Sequence, residues 1–206
     1  GSVGIVVDGV ALANTSTNPP LLFDVSRVEV LEGPQGTLFG RNSSAGVINI
    51  TTNAPDPSKI EAIAHSDIGT RNNFILRGVV NLPITDNAAL RVTGSFSQDP
   101  QVQRNLLDRS YSQREAKAAR ARFLWEPGDT VSINLAADYT DSDVDGGAPW
   151  AVYASSPTSL LTARLNACGV TVGPDNQDGC VDPSIVSSAA TYGFFGQIDV
   201  DIGSLT

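Results

Sequence analysis

Residues 27–52 read RVEVLEGPQGTLFGRNSSAGVINITT. Apolar and charged residues alternate at the start of this stretch, as side chains do along a β-strand. Gly33-Pro34 ends the run, because proline has no backbone N–H to give to a strand ladder. A polar Asn-Ser-Ser connection then leads into a second apolar run over residues 47–50. The stretch therefore predicts two short strands joined by a glycine-rich connection.

This stretch resembles the plug-domain signature of TonB-dependent outer-membrane receptors. In that family the usual form is close to RVEVLRGPQGTLYGRN, followed by a glycine-rich turn and a strand that ends in TT or TK. The likeness is long and ungapped. It implies that residues 1–56 are the C-terminal part of a plug domain of mixed α/β fold. It also implies that the later strands open a barrel of about twenty-two strands.

The ends and the net charge of the chain limit the classes of protein to which it can belong. The sequence has no methionine, and residues 1–9 lack the basic start and apolar core of a signal peptide, so we expect an excerpt of a longer chain. The net charge is −9, with 13 basic and 22 acidic residues. Nucleic-acid-binding proteins present a basic face. No basic cluster occurs here, and this excludes nucleic acid as a partner.

Residues 57–206 show repeated strand patterns that are apolar on one face and polar on the other. Each pattern runs for about 9–11 residues, which suits a tilted strand that crosses a bilayer. Closing a barrel takes at least about eight strands, so the sequence predicts the first part of a transmembrane antiparallel β-barrel. The six predicted strands lie within residues 60–70, 74–82, 90–96, 119–125, 131–139 and 192–200.

The connections between these strands alternate in length. Residues 85–87 and 126–129 are short turns, whereas 99–115 and 141–190 are long connections. Outer-membrane barrels have short turns on one side and long loops on the other. The connection near residues 70–72 is short and departs from this rule.

Four arginines favour a barrel over a soluble β-sandwich. They project to the polar face of the predicted strands, and burying them in a sandwich core would be costly unless they were paired. Facing a wet lumen or a polar plug, they cost little. A passive porin or adhesion barrel stays open as an alternative, as does a secreted sandwich that binds glycans. The arginines are Arg77, Arg91, Arg120 and Arg122.

The resemblance assigns two groups of candidate residues. Polar apical loops of a plug face the cell exterior and touch the ligand. Plug arginines near residue 27 pair with carboxylates of the barrel, but this chain has Glu32 at the usual second arginine. A pair of inverted polarity, between Glu32 and a barrel arginine, is one hypothesis. The predicted ligand residues are Asn14, Thr15, Ser16, Arg41, Asn42, Ser43 and Ser44, and the predicted plug–barrel contacts are Arg27, Glu29 and Glu32.

Two further patterns concern metal binding and cross-linking. Asp141, Asp143 and Asp145 resemble the start of a calcium loop, although the twelfth position lacks the glutamate of an EF-hand. A structural calcium ion is therefore the one cofactor that the sequence leaves open. Cys168 and Cys180 flank a short polar segment rich in glycine and proline. In an exported protein this predicts a disulfide, while two unrelated thiols stay an alternative.

The functional expectation is active import rather than catalysis. The sequence has one histidine and no Gly-x-Ser-x-Gly motif, so no nucleophile and base are evident. The resemblance implies a receptor in the outer membrane of a Gram-negative bacterium. It would import a scarce small-molecule ligand, such as an iron–siderophore complex, cobalamin or a glycan. Its implied partners are outer-membrane lipid and the TonB-ExbB-ExbD energy-transducing complex, which acts through an N-terminal box absent from these residues.

Overall fold

The computed structural model describes residues 3–12, 23–33, 45–70, 73–145, 156–180, 182 and 187–203. Strands dominate these residues and form two sheets. The prediction of a mainly β fold is therefore confirmed.

The first sheet, called the small sheet below, contains the four N-terminal strands. These are β1 (Val3–Val7), β2 (Val10–Ala11), β3 (Val25–Glu32) and β4 (Gly46–Thr52). Their order in the sheet is β2-β1-β4-β3. The central strands β1 and β4 run parallel, whereas the other two pairs are antiparallel. Both strands predicted within residues 27–52 are present.

Backbone geometry explains two features of the small sheet. Asp8 and Gly9 both have positive φ, at 47° and 82°, as a type I′ turn between hairpin strands requires. Gly46 opens β4 against β3, and a Cβ at this position would lie 2.6 Å from the carbonyl oxygen of Leu31. Only glycine allows this close approach of the two strands.

The second sheet, called the large sheet below, contains all six strands predicted after residue 57. They are β5 (Glu61–Ile68), β6 (Phe74–Thr85), β7 (Ala88–Asn105), β8 (Tyr111–Gly128), β9 (Val131–Asp145) and β11 (Ser187–Val200). Their order is β11-β9-β8-β7-β6-β5, and every neighbouring pair is antiparallel. Short turns join these strands near the predicted positions, at residues 86–87 and 129–130.

The strands are longer than predicted at the opposite end. The predicted loop over residues 99–115 is wrong, because β7 continues to Asn105 and β8 begins at Tyr111. Similarly, β9 continues to Asp145. Both faces of the sheet are polar at this level, where Lys117 pairs with Asp141 across the strands. Alternation of apolar and polar residues therefore disappears there although the strands stay paired.

The long connection between β9 and β11 packs against β7. It contains the helix α1 (Leu160–Ala167) and the strand β10 (Asp178–Gly179), which pairs in parallel with Arg104 and Asn105. Cys168 and Cys180 form a disulfide with their Cα atoms 6.4 Å apart. Within the part of the chain that the structure describes, no helix has the length and hydrophobicity of a membrane span.

The two faces of the large sheet have opposite environments. The apolar face is open, with Val92 39%, Leu135 47% and Phe194 86% exposed. The polar face is covered where the small sheet lies, and the three arginines Arg91, Arg120 and Arg122 there are only 4%, 8% and 6% exposed. A soluble sandwich would bury the apolar face instead. The sandwich alternative is therefore wrong for this chain.

Candidate functional site

The two sheets meet at three arginines on the polar face of the large sheet. Arg91 on β7 and Arg122 on β8 are direct cross-strand partners. Arg120 lies two positions along β8 and so projects to the same face. Like charges placed directly opposite each other destabilise a sheet. Three buried guanidinium groups at this point therefore need carboxylates close by.

Arg91 obtains one of its carboxylates from the small sheet. Its Nε and Nη2 donate to Oδ2 and Oδ1 of Asp24 at 2.7 and 2.8 Å, a bidentate pair buried on both sides. Its Nη1 donates to Oε2 of Glu61 on β5 at 2.8 Å. Asp24 immediately precedes β3, so this ion pair joins the start of β3 to the large sheet.

Arg120 also lies between the two sheets. Its Nη1 donates to Oδ2 of Asp8 at 3.0 Å, and Asp8 lies in the turn between β1 and β2. Its Nε and Nη2 donate to the carboxylate of Asp138 on β9. One guanidinium group thus binds a carboxylate from each sheet.

Arg122 contacts the end of β4 rather than a close carboxylate. Its Nη1 donates to Oγ1 of Thr52 at 2.7 Å and lies 3.2 Å from the carbonyl oxygens of Thr52 and Asn53. The nearest carboxylate oxygen of Asp8 is 3.7 Å away. The Nε of Arg122 is buried and has no hydrogen-bond partner among the described residues.

Asp8 and Thr52 tie the parallel strands of the small sheet together at this point. The backbone N–H of Thr52 donates to Oδ1 of Asp8 at 2.8 Å, and its hydroxyl donates to Oδ2 at 2.7 Å. The same hydroxyl accepts from Arg122. The ends of β1 and β4 are therefore bound to β8 as one unit.

The surroundings of Asp24 favour its charged form. Burial raises the pKa of this carboxyl, but hydrogen bonds from Arg91 and then from Asn53 lower it. The net pKa lies below the ordinary value of 3.8. Asp24 is thus held as a carboxylate opposite Arg91.

The residues predicted to join plug and barrel lie elsewhere on the small sheet. Arg27 and Glu29 form an exposed ion pair with each other on β3 at 3.4 Å. Glu29 also accepts from the side chain of Asn49 at 3.0 Å. Neither contact involves the large sheet. A barrel contact of Arg27, Glu29 or Glu32 stays a prediction.

The arginines of the interface were predicted from the sequence, whereas their partners Asp8, Asp24 and Thr52 were not. The signal that could have found them is the unpaired positive charge predicted on the polar face. The predicted ligand residues Asn14, Thr15, Ser16, Arg41, Asn42, Ser43 and Ser44 lie outside the described residues.

The three predicted calcium ligands lie on a strand rather than in a loop. Asp141 and Asp143 lie on β9, which continues to Asp145. A structural calcium ion at these carboxylates stays a prediction. Within the described part of the chain, no group of three or more His, Cys, Asp or Glu residues could hold a metal ion.

We predict that Arg91→Gln strongly destabilises the protein that contains this chain. The substitution leaves Asp24 buried without its cation, which should lower the free energy of unfolding by about 3–5 kcal/mol. The matched control is Arg27→Gln, which breaks an exposed pair and should cost less than about 1 kcal/mol. Denaturant unfolding of the purified protein measures both. Equal losses would contradict the interface described above.

The contribution of Asp24 should depend on pH. A carboxyl whose pKa is lower in the folded state stabilises fully above its unfolded pKa, which is near 3.9. This contribution is lost as the pH falls through the folded pKa. We therefore expect the difference in unfolding free energy between wild type and Asp24→Asn to be constant above about pH 5 and to shrink in acid. A difference that grows in acid would refute the assignment.

Comparison with known proteins agrees with this architecture. Residues 1–47 match the family model of the TonB-dependent receptor plug domain. The pesticin receptor of Yersinia pestis is 42% identical over 82 residues, which cover 38% of this chain and 12% of that receptor. The chain thus spans a small part of its curated relatives.

Solved structures share the fold. The ferric yersiniabactin uptake receptor FyuA from Yersinia pestis matches 74% of this chain and 24% of its own, with 28% identity and a TM-score of 0.64. FpvA of Pseudomonas aeruginosa, solved with a heterologous pyoverdine, matches 97% of this chain and 25% of its own, with a TM-score of 0.73. Its identity of 17% supports the fold alone. The plug-domain match over residues 1–47 and the shared fold make this chain similar to the TonB-dependent outer-membrane receptors.

Proposed function

We propose that the receptor containing this chain imports a metal–siderophore complex through the outer membrane into the periplasm. The observation that carries the proposal is the arrangement of the two sheets. A plug-type sheet is bound to the polar face of a barrel-type sheet, and the opposite face of that barrel-type sheet is apolar and open. An uptake pore with a plugged, wet interior needs this arrangement. The function is transport, with no catalytic step.

The choice of cargo rests on the solved neighbours. FyuA is described as a ferric yersiniabactin uptake receptor, and FpvA was solved with a pyoverdine–iron complex. Both descriptions apply to those proteins. Because FyuA is 28% identical over most of this chain, a metal chelate is the first cargo class to test.

The apical loops of the small sheet are our proposed ligand site. The segment 34–44 leaves the sheet at Gly33 and returns at Ala45, where the N–H of Gly33 donates to the Ala45 carbonyl at 3.2 Å. This is the end of the sheet opposite Asp8 and Thr52. Ligand contacts from this side would come from Asn14, Thr15, Ser16, Arg41, Asn42, Ser43 and Ser44.

We also propose the domain boundaries, the membrane location and the energy source of the receptor. Residues 53–60 link the two sheets, which supports a plug portion over 1–56 and a barrel portion over 57–206. The open apolar face supports contact with outer-membrane lipid in a Gram-negative bacterium. The TonB-ExbB-ExbD complex would supply energy through a segment that precedes the plug.

We predict that a strain lacking the receptor grows poorly under iron limitation with one member of a ferric-siderophore panel, and that the receptor gene restores growth. The double variant Arg41→Ala/Asn42→Ala should weaken binding of that complex by about tenfold, as loss of charged hydrogen bonds does. Calorimetric titration of the purified receptor measures this. Lys59→Ala, an exposed cation beside the barrel, is the control. If no complex on the panel binds or supports growth, this cargo class is refuted.

A second prediction tests the lipid-facing side. Phe194 and Phe195 are neighbours on β11 and project to opposite faces of the large sheet. Phe194→Arg places a charge toward hydrocarbon and should cost about 2–4 kcal/mol in a bilayer. Phe195→Arg is the same substitution on the inner face and should cost less. Unfolding of the receptor in lipid vesicles compares them, and a larger loss for Phe195→Arg would exclude the assigned orientation.

A further inference from the structure

In both ion pairs between the two sheets, the negative group belongs to the small sheet and the positive group to the large sheet. The small sheet contributes the carboxylates of Asp8 and Asp24, and the large sheet contributes the guanidinium groups of Arg91 and Arg120. The resemblance implied the opposite arrangement, with arginines on the plug and carboxylates on the barrel. The difference gives this interface a charge pattern of its own.

The large sheet does not neutralise its own arginines. On this part of its polar face it carries three guanidinium groups and the carboxylates of Glu61 and Asp138, which contact Arg91 and Arg120. Arg122 instead donates to the end of β4. Without Asp8 and Asp24, this part of the large sheet therefore has one more positive charge than negative charges. Burial makes that excess costly.

The contacts described above between the small sheet and these arginines come from one of its ends. Asp8 follows β1, Asp24 precedes β3, and Thr52 ends β4. Since β1 and β4 are parallel and β3 is antiparallel to β4, these three positions lie at the same end of the small sheet, which is called its docked edge below. The opposite edge, at Glu32 and Gly46, lies about 20 Å away along β4.

This docked edge lies near the short turns of the large sheet. Arg91 is close to the start of β7, just after the turn at residues 86–87. Arg122 is its cross-strand partner, so it lies at the same height. In outer-membrane barrels the short turns face the periplasm. The docked edge of the small sheet therefore lies toward the periplasmic side of the proposed barrel.

We propose that Arg91, Arg120 and Arg122 form a receptor on the barrel wall for two plug carboxylates, Asp8 and Asp24, and that this receptor anchors the periplasmic edge of the plug. The proposal rests on the proposed function only in taking the large sheet as a barrel wall. The anchor joins the plug to the wall at β7 and β8.

Hydrogen exchange of the full receptor in detergent tests the anchor. Asp8→Asn and Asp138→Asn are the matched variants, because both remove a carboxylate from Arg120 but from opposite sides of the interface. We expect amides of β1 and β4 to exchange about tenfold faster in Asp8→Asn, because their docked ends are released. In Asp138→Asn these amides should exchange at the wild-type rate. Equal rates in the two variants would overturn the proposal.

Two further measurements keep the test decisive. If Asp8→Asn does not assemble, Thr52→Val removes the hydroxyl shared by Asp8 and Arg122 with little change in volume, and it should also speed exchange in β4. In cells, Asp8→Asn should increase sensitivity to a large glycopeptide antibiotic that an intact plug excludes, whereas Asp138→Asn should not. Wild-type exchange in Thr52→Val, or no change in sensitivity for Asp8→Asn, would count against the anchor.

These readouts do not depend on ligand import. If no siderophore is transported but the exchange rates differ as expected, the anchor stands and the cargo proposal fails. If a siderophore is transported and the rates do not differ, the cargo proposal stands and the anchor fails.

Discussion

Burial of three guanidinium groups on one face of a sheet is the constraint on which the arrangement of this chain depends. A charge removed from water must find a partner, and the effective penalty for failing to do so is several kcal/mol. Arg91 and Arg122 face each other across β7 and β8, so their positive charges repel each other at this point. The small sheet resolves the conflict with Asp8, Asp24 and the end of β4. Its position against the large sheet therefore follows from charge as well as from connectivity.

The same arginines fix the register of the large sheet. Side chains alternate with period two, so a slip of one residue in one strand would exchange its two faces. In β8 such a slip would move Arg120 and Arg122 to the apolar face, beside Val92 and Leu135. A charged residue on the lipid side of a barrel costs about 2–4 kcal/mol near the midplane. The arginines thus disfavour the wrong register while they bind the plug in the right one.

Much of this fold was predictable from the sequence, because strand periodicity is a local property. Alternation identified the six antiparallel strands of the large sheet, and the motif over residues 27–52 identified two of the four strands of the small sheet. The partners of the arginines were not predictable in this way. Asp8 and Arg120 are 112 residues apart, and Asp24 and Arg91 are 67 apart. Periodicity shows which face a side chain occupies, but it does not show which distant residue meets it there.

β7 and β8 extend beyond the apolar band of the large sheet, so the predicted loops were too long. A separate set of contacts holds these extended parts of the strands. β6 stops pairing with β7 at Gln98, so the next residues of β7 have a free edge on that side. An uncovered edge leaves backbone groups unpaired. β10 covers it, with the N–H groups of Arg104 and Leu106 donating to the carbonyls of Gln177 and Gly179.

Arg104 adds an ion pair to Asp178 at 3.0 Å on the same side of β7. Beside it, Val170 and Leu165 are buried, so the connection has a small core of its own. The disulfide between Cys168 and Cys180 closes the segment that carries β10, immediately after its last residue. A cross-link at this place limits the conformations of the segment when it is undocked, which favours the paired state. The polar outer end of the hairpin is therefore stabilised by an added strand and a cross-link, where the membrane-facing part relies on its apolar face.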